Sequence, residues 1–354
     1  MNADMNVQPL SAKLVTAAVS NASLSSHSVA FPLSMSLVPE SSVALATPLL
    51  VGSHNEFLGC SWKNIKPHEI RGVAVTLMLH APKWFQRRYT MMIQNVHSNI
   101  PNNWVIQVFY TGVGQSQLGV DLNRGLQKFI DSGRLVFTII PPHVLAVKTK
   151  RFEMMTDLWF WQNMLANKVL IFGGNAVICS NSPHSIDQFT RFDYIGSPWS
   201  AMKGFGGDGG ISIRSRDLMV TVIQYELSKI TDEAKKIVAF KSWVQDDIFF
   251  LQRIKEMRKR HIDAAVKAVI ASRNDTMVFG AMDNTHNLDV FAVSGTLPGL
   301  PFKERNVFLA QCPEIKEFYP SLHDPACFGA TPDADKCRVS ICALKPKGER
   351  RGGC

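Results

Sequence analysis

The chain has 354 residues, 46% of them hydrophobic and 19% charged. That is enough for one large α/β domain with extensions or two modest domains, and the balance excludes wholesale disorder. The formal net charge is +9, from 38 Lys and Arg against 29 Asp and Glu, which suits an anionic partner such as a nucleotide phosphate. The basic runs Arg253–Arg260 and Lys345–Arg351 carry no interleaved aromatic platform, so nucleic acid is not expected as a partner.

Residues 1–65 show no sustained periodicity and read as a poorly ordered N-terminal extension. The apolar stretch Val29–Val51 is broken by Pro32, Pro39, Glu40 and Pro48, so no membrane span is expected. The chain reads as soluble and cytoplasmic by default. Its Ser- and Ala-rich, nearly uncharged start leaves a divergent targeting segment open. From Gly72 a near-continuous apolar run to His80 predicts a strand buried on both faces. A helix follows over Lys83–Ile100, with Trp84, Arg88, Met92 and Val96 on one stripe. Trp104–Tyr110 predicts the second strand, and Gln117–Ser132 a helix stopped by Gly133. Arg134–Ile140 predicts the third strand, Phe152–Asn167 a helix, and Lys168–Phe172 the fourth strand.

This fourfold alternation predicts an α/β fold, with a mostly parallel sheet flanked by helices. Ligands of such sheets collect beyond the carboxyl ends of the strands, so the positions after Tyr110, Ile140 and Phe172 are expected to face them. The main domain is read as 66–320, and 321–354 as a C-terminal tail. Seven cysteines show no C-x-x-C spacing, which gives a structural zinc site little support. Reduced thiols are the simple expectation. Bridging among Cys327, Cys337 and Cys342 is the alternative for a secreted chain.

Beyond Phe172 the pattern turns to short strands and glycines. Gly204, Gly206, Gly207, Gly209 and Gly210 precede a strand-like segment, Ile211–Arg214. They therefore match neither the dinucleotide fingerprint, which opens a helix, nor a P-loop, which ends in Gly-Lys-Ser/Thr. Two readings stay open: a hairpin turn capped by Asp208, or a backbone that lets a polar ligand approach closely. A helix is predicted over Arg216–Lys229, and another opens near Ser242. Asp246 and Asp247 sit at the start of the latter and must point in different directions. They are either helix caps or a carboxylate pair with one member in a cleft, as general-base catalysis requires.

In order along the chain stand Phe192-Asp-Tyr-Ile-Gly-Ser-Pro-Trp199, Gly206-Gly-Asp-Gly-Gly-Ile-Ser-Ile-Arg-Ser-Arg216 and Gln245-Asp-Asp-Ile-Phe-Phe250. Together they resemble the domain-of-unknown-function family (domain of unknown function 5672) marked by D-Y-I-G-x-P-W and G-G-x-S-x-R-x-R segments, over roughly Gly72–Pro320. The resemblance implies a glycosyltransferase-like, GT-A-like nucleotide-sugar-binding sheet, with sugar transfer from a nucleotide-sugar donor to a hydroxyl acceptor, a glycan by expectation. The alternative is a catalytically inactive nucleotide- or glycan-binding relative. Carried over by position, the resemblance makes Asp247 the candidate base, with Asp246 beside it. Gly207, Asp208, Gly209 and Gly210 would line the donor sugar and acceptor. Arg214 would support the loop or approach a phosphate, and Trp199 would stack on a sugar or base.

Two positions depart from the family pattern. Asn175 stands where an acidic residue usually holds a divalent cation, manganese or magnesium, on the donor diphosphate, and an amide is a poor ligand for a hard cation. Lys303 and Arg305 stand where the family tends to carry Gly and His. A guanidinium does not ligate a metal but binds a diphosphate in bidentate fashion. The resemblance, so altered, implies weak or absent metal dependence.

Overall fold

The computed structural model describes residues 70–79, 83–111, 125–174, 176–198, 206–232, 236, 245–281, 289–294 and 308–318. The expected extension 1–65 and tail 321–354 lie outside these described residues. The central sheet has six strands: β1 (Gly72–Met78), β2 (Trp104–Thr111), β3 (Leu135–Ile140), β4 (Lys168–Phe172), β6 (Tyr194–Ser197) and β7 (Asp208–Ser215), in the order β3-β2-β1-β4-β7-β6. β1, β2, β3 and β4 are mutually parallel, whereas β7 is antiparallel to both β4 and β6. The fold is therefore α/β with a mostly parallel sheet. A small second sheet pairs β5 (Val177–Ile178), β9 (Ala292–Val293) and β8 (Gly280–Ala281), in that order.

The near-continuous apolar runs follow from burial on both faces of the sheet. Ala74, Ile106, Val108 and Leu170 pack into one core cluster, together with Met92, Ile93 and Val96 of α1 (Lys83–Asn99). Their strand neighbours Val73, Val75, Phe109, Val169 and Ile171 point the other way, into a second cluster. That second cluster is closed by α2 (Arg151–Met155), α3 (Leu158–Gln162), α4 (Arg216–Ser228) and α5 (Asp246–Lys259).

Three sequence expectations are corrected. The single helix expected over Phe152–Asn167 is two short helices, α2 and α3. The Thr156 hydroxyl donates to the Phe152 carbonyl at 3.1 Å, and Asp157 restarts the chain by accepting from the Trp159 amide at 2.8 Å. Local side-chain bonds of this kind compete with helix continuation. In the glycine cluster, Asp208, Gly209 and Gly210 are the opening residues of β7 rather than a turn. The left-handed backbone is carried by Gly206 (φ 76°) and Gly207 (φ 89°) just before them. Finally, Cys179 and Cys312 are not free thiols. They are joined by a disulfide with Cα atoms 4.5 Å apart, across a sequence separation of 133. The fold sets segment 308–312 against the chain leaving β5, a proximity that no local spacing announces. Cys327, Cys337 and Cys342 lie outside the described residues. The helix expected over Gln117–Ser132 is present over 125–131, and its first part lies outside the described residues.

Candidate functional site

The chain leaves β1 for β2 on one side and reaches β4 on the other, so the order of strands reverses between β1 and β4. Ligands of open α/β sheets bind beyond the carboxyl ends at such a point. A cavity of about 380 Å³ lies there, within the range of small-molecule sites. Its floor is apolar, with Val75, Leu77, Ile171 and Phe172. Its rim carries Thr149, Lys150, Arg151, Gly173 and Gly174. Sequence reasoning singled out the position after Phe172 but missed Lys150 and Arg151. The available signal was the basic run Lys148-Thr-Lys-Arg151, which leads from the third strand's loop into α2.

The antiparallel setting of β7 brings the glycine strand to this rim. Phe172 pairs with Ile211, and the Gly173 amide donates to the Gly210 carbonyl at 2.9 Å. The first residues of β7 therefore stand at the carboxyl end of β4. The Arg151 guanidinium joins the two, with Nη2 donating to the Gly209 carbonyl at 3.0 Å.

Behind this rim the structure gathers Asp208, Arg214, Asp246 and Asp247. Arg214 is fully buried. Its Nη2 lies 2.7 Å from Asp246 Oδ2, and its Nε donates to Ser212 Oγ at 3.0 Å. The Arg214–Asp246 contact is an ion pair by distance rather than a well-aligned hydrogen bond, and Nη1 has no hydrogen-bond partner among the described residues. The guanidinium also lies over the rings of Tyr194 and Phe250, at 5.0 and 5.6 Å from their centroids. Burial works against its charge, yet Tyr194, Asp246 and Asp247 hold the Arg214 pKa above the ordinary arginine value. Burial pushes the Tyr194 hydroxyl well above its usual range, with Arg214 pulling the other way.

Asp247 is also buried. Oδ2 accepts from the Gly209 amide at 2.9 Å and Oδ1 from the Ile248 amide at 2.7 Å. Burial first, and then the neighbouring charge of Asp246, raise its pKa to about 6, with Arg214 opposing. Gly209 must be glycine for this packing: an added Cβ would stand 2.7 Å from Arg214 Nη2 and 3.2 Å from Asp246 Oδ2. Asp208 is half-buried. Its Oδ2 accepts from the Gly210 amide at 2.7 Å and from Ser294 Oγ at 3.2 Å. Ser294 Oγ also lies 3.2 Å from Ser197 Oγ, within hydrogen-bond distance. These two buried serines carry no sequence signal of their own, since Ser294 reaches the cluster only through β9.

The structure thus brings together Gly207, Asp208, Gly209, Gly210, Arg214, Asp246 and Asp247. Trp199, Asn175, Lys303 and Arg305 lie outside the described residues. No group of three or more His, Cys, Asp or Glu side chains able to hold a metal is found among the described residues. No helix among them is long and apolar enough to cross a membrane.

Residues 134–285 match the family described as "Protein of unknown function (DUF5672)". The match runs from the start of β3 to just past β8, and so includes Arg151, the glycine strand and both carboxylates of α5. No curated protein matches the chain. Among solved structures, the apo-form glycosyltransferase GlyE of Streptococcus pneumoniae TIGR4 aligns at 9% identity and a TM-score of 0.34, over 52% of this chain and 43% of that one. A second structure of the glycosyltransferase GlyE from the same organism aligns at 9% identity and a TM-score of 0.32, over 50% and 41%. The chain thus spans about two fifths of the length of these structures. The family resemblance read from the motifs accordingly rests on residues 134–285.

Proposed function

We propose that the protein is a GT-A-like glycosyltransferase that moves a sugar from a nucleotide-sugar donor to a hydroxyl group of an acceptor, a glycan by chemistry. The observation that carries this reading is the continuity between the cavity at the strand-order reversal and the buried acidic cluster, made by the Arg151 contact to Gly209 and the Asp247 contact to the same residue. An apolar floor suits a planar base, and a basic rim suits a diphosphate. A glycine backbone between them and the carboxylates lets a sugar approach closely.

In this reading Asp247 is the base. A pKa of about 6 leaves it largely ionised at neutral pH and close enough to that pH for effective proton transfer. A carboxylate has about four acceptor positions. The two taken by backbone amides leave capacity for an acceptor hydroxyl, and they fix the direction of the group. Arg214 positions the pair by holding Asp246. A second reading, a binding-only relative, is favoured by one observation: both Asp247 oxygens already accept backbone hydrogen bonds, as a purely structural carboxylate would.

The test is turnover of a nucleotide-sugar panel, with and without glycan acceptors, by the wild-type protein and by Asp247→Asn. The expected loss of kcat is roughly 10²- to 10⁴-fold. In the wild type, kcat/KM should climb from pH 5 to about 7 and then level, because the base must lose its proton through its pKa of about 6. An active enzyme indifferent to Asp247→Asn would remove the base assignment. A folded wild-type protein that binds donors but neither transfers nor hydrolyses them would establish the binding-only reading.

A further inference from the structure

We propose that Arg151, assisted by Lys150, is the anion-gripping pair of the cavity and binds a diphosphate directly, without an intervening divalent cation. This inference rests on the nucleotide-sugar reading and names the residues that recognise the charged part of that ligand.

Four basic side chains lie near the rim or behind it, and their surroundings separate them into two kinds. Lys148 is buried and pairs with Asp157 at 3.9 Å, and Arg214 is buried against Asp246. The charge of each is matched inside the protein. Arg151 and Lys150 line the cavity itself. Neither pairs with a carboxylate within 4.0 Å among the described residues, although, against burial and after the Thr149 and Lys150 amides, the charge of Lys150 helps to lower the Glu153 pKa. No Asp, Glu, His or Cys is among the described residues lining the cavity. Hard divalent cations select carboxylate and carbonyl oxygens. Two cations at the rim of one cavity suit an anion.

The orientation of Arg151 is fixed by its surroundings. One nitrogen is bound to the Gly209 carbonyl, out of the five N–H donors a guanidinium carries. A Cβ on Gly173 would stand 2.7 Å from Nη1, so glycine at the end of β4 is what allows the guanidinium to lie against the strand there. At the base of the adjoining helix, Glu153 accepts from the Thr149 and Lys150 amides at 2.9 and 3.2 Å. The segment carrying both cations is thereby held at the rim. A planar guanidinium held by a single hydrogen bond keeps further N–H donors for a diphosphate.

The experiment is calorimetric titration of the full chain with UDP, GDP and ADP and with the corresponding nucleosides, first in chelator and then with manganese. At least one nucleoside diphosphate should bind in chelator and more tightly than its nucleoside. Arg151→Gln should weaken that diphosphate roughly 10- to 100-fold and leave the nucleoside unchanged. Arg151→Lys should recover part of the loss, since it keeps the charge but not the fork. Lys150→Gln, at an exposed side chain that tests the pair without disturbing the fold, should cost several-fold. If a nucleoside diphosphate binds no tighter than its nucleoside, or binds only with manganese, the inference fails while the nucleotide reading stands. It fails in the same way if Arg151→Gln and Lys150→Gln both leave affinity unchanged. Binding of neither nucleosides nor diphosphates under any condition would remove the nucleotide reading and this inference with it.

Discussion

The two halves of the central sheet differ in the charge they bury: none in the parallel half, and an arginine with carboxylates in the antiparallel half. In the parallel half, β1 to β4, the strands are almost wholly apolar. Its buried polar groups are few and neutral, among them Thr76, the Trp104 ring nitrogen, which has no hydrogen-bond partner among the described residues, and Gln107, whose amide donates to Thr138 Oγ1 at 2.9 Å and to the Asn163 carbonyl at 2.8 Å and whose oxygen accepts from the Leu165 amide at 3.3 Å. In the antiparallel half, β6 and β7, a fully buried arginine stands among carboxylates and serines, and two of its nitrogens have no well-aligned hydrogen bond among the described residues. The first half is held by apolar burial, which is non-directional and tolerates volume-conserving apolar exchanges. The second depends on matched charge in a desolvated place, where removing one member costs more than the pair itself contributes. A fold tolerates that arrangement where it has a use, and the cluster lies directly behind the cavity rim.

The largest break in this comparison should come from Arg214→Met. It removes the cation and leaves Asp246 buried without its partner, an expected loss of about 3–5 kcal/mol in urea denaturation. A loss under about 1 kcal/mol would mean that water reaches Asp246 and that the two halves do not differ as described. Next in size is Cys312→Ala. The Cys179–Cys312 bridge closes a loop of 133 residues and ties segment 308–318 to the second sheet, outside both halves. Its removal should cost about 2–4 kcal/mol, and wild-type protein in reductant should unfold at the same denaturant concentration as the variant. The smallest effect is expected in the parallel half. Ile106→Val deletes one buried methylene from β2, where Ile106 is fully buried, and should cost about 0.5–1.5 kcal/mol. Equal losses at Ile106 and Arg214 would erase the distinction between a packed half and an electrostatic one.

The parallel half was legible because burial on both faces forces an apolar run that few other contexts require. Val73–Val75 and Val169–Phe172 carry that signature without help from the rest of the chain. The break between α2 and α3 was not legible. The apolar spacing from Met155 through Leu165 fits a continuous helix, and only the Thr156 and Asp157 side-chain bonds end it. The disulfide was also hidden, since Cys179 and Cys312 meet only through the packing of the second sheet.

At the candidate site, residue types were legible and their relations were not. Asp246, Asp247, Asp208 and the glycines stand out as chemistry-bearing residues in a short span, and the rule of adjacent helical positions already required the two aspartates to diverge. Which of them would meet Arg214, and which the Gly209 amide, depends on the approach of α5 to β7. The sequence by itself determined an α/β sheet with ligand-facing positions after its strands, because hydrophobic periodicity is a local property of the chain. Only the tertiary structure decided that β7 runs against β4. A parallel β7 would carry Asp208 and Gly209 to the opposite end of the strands. The antiparallel pairing of Phe172 with Ile211 instead sets Gly209 against Arg151 at the cavity rim. Strand direction is fixed by long-range hydrogen bonding and packing, which leave no local mark on the residues they bring together.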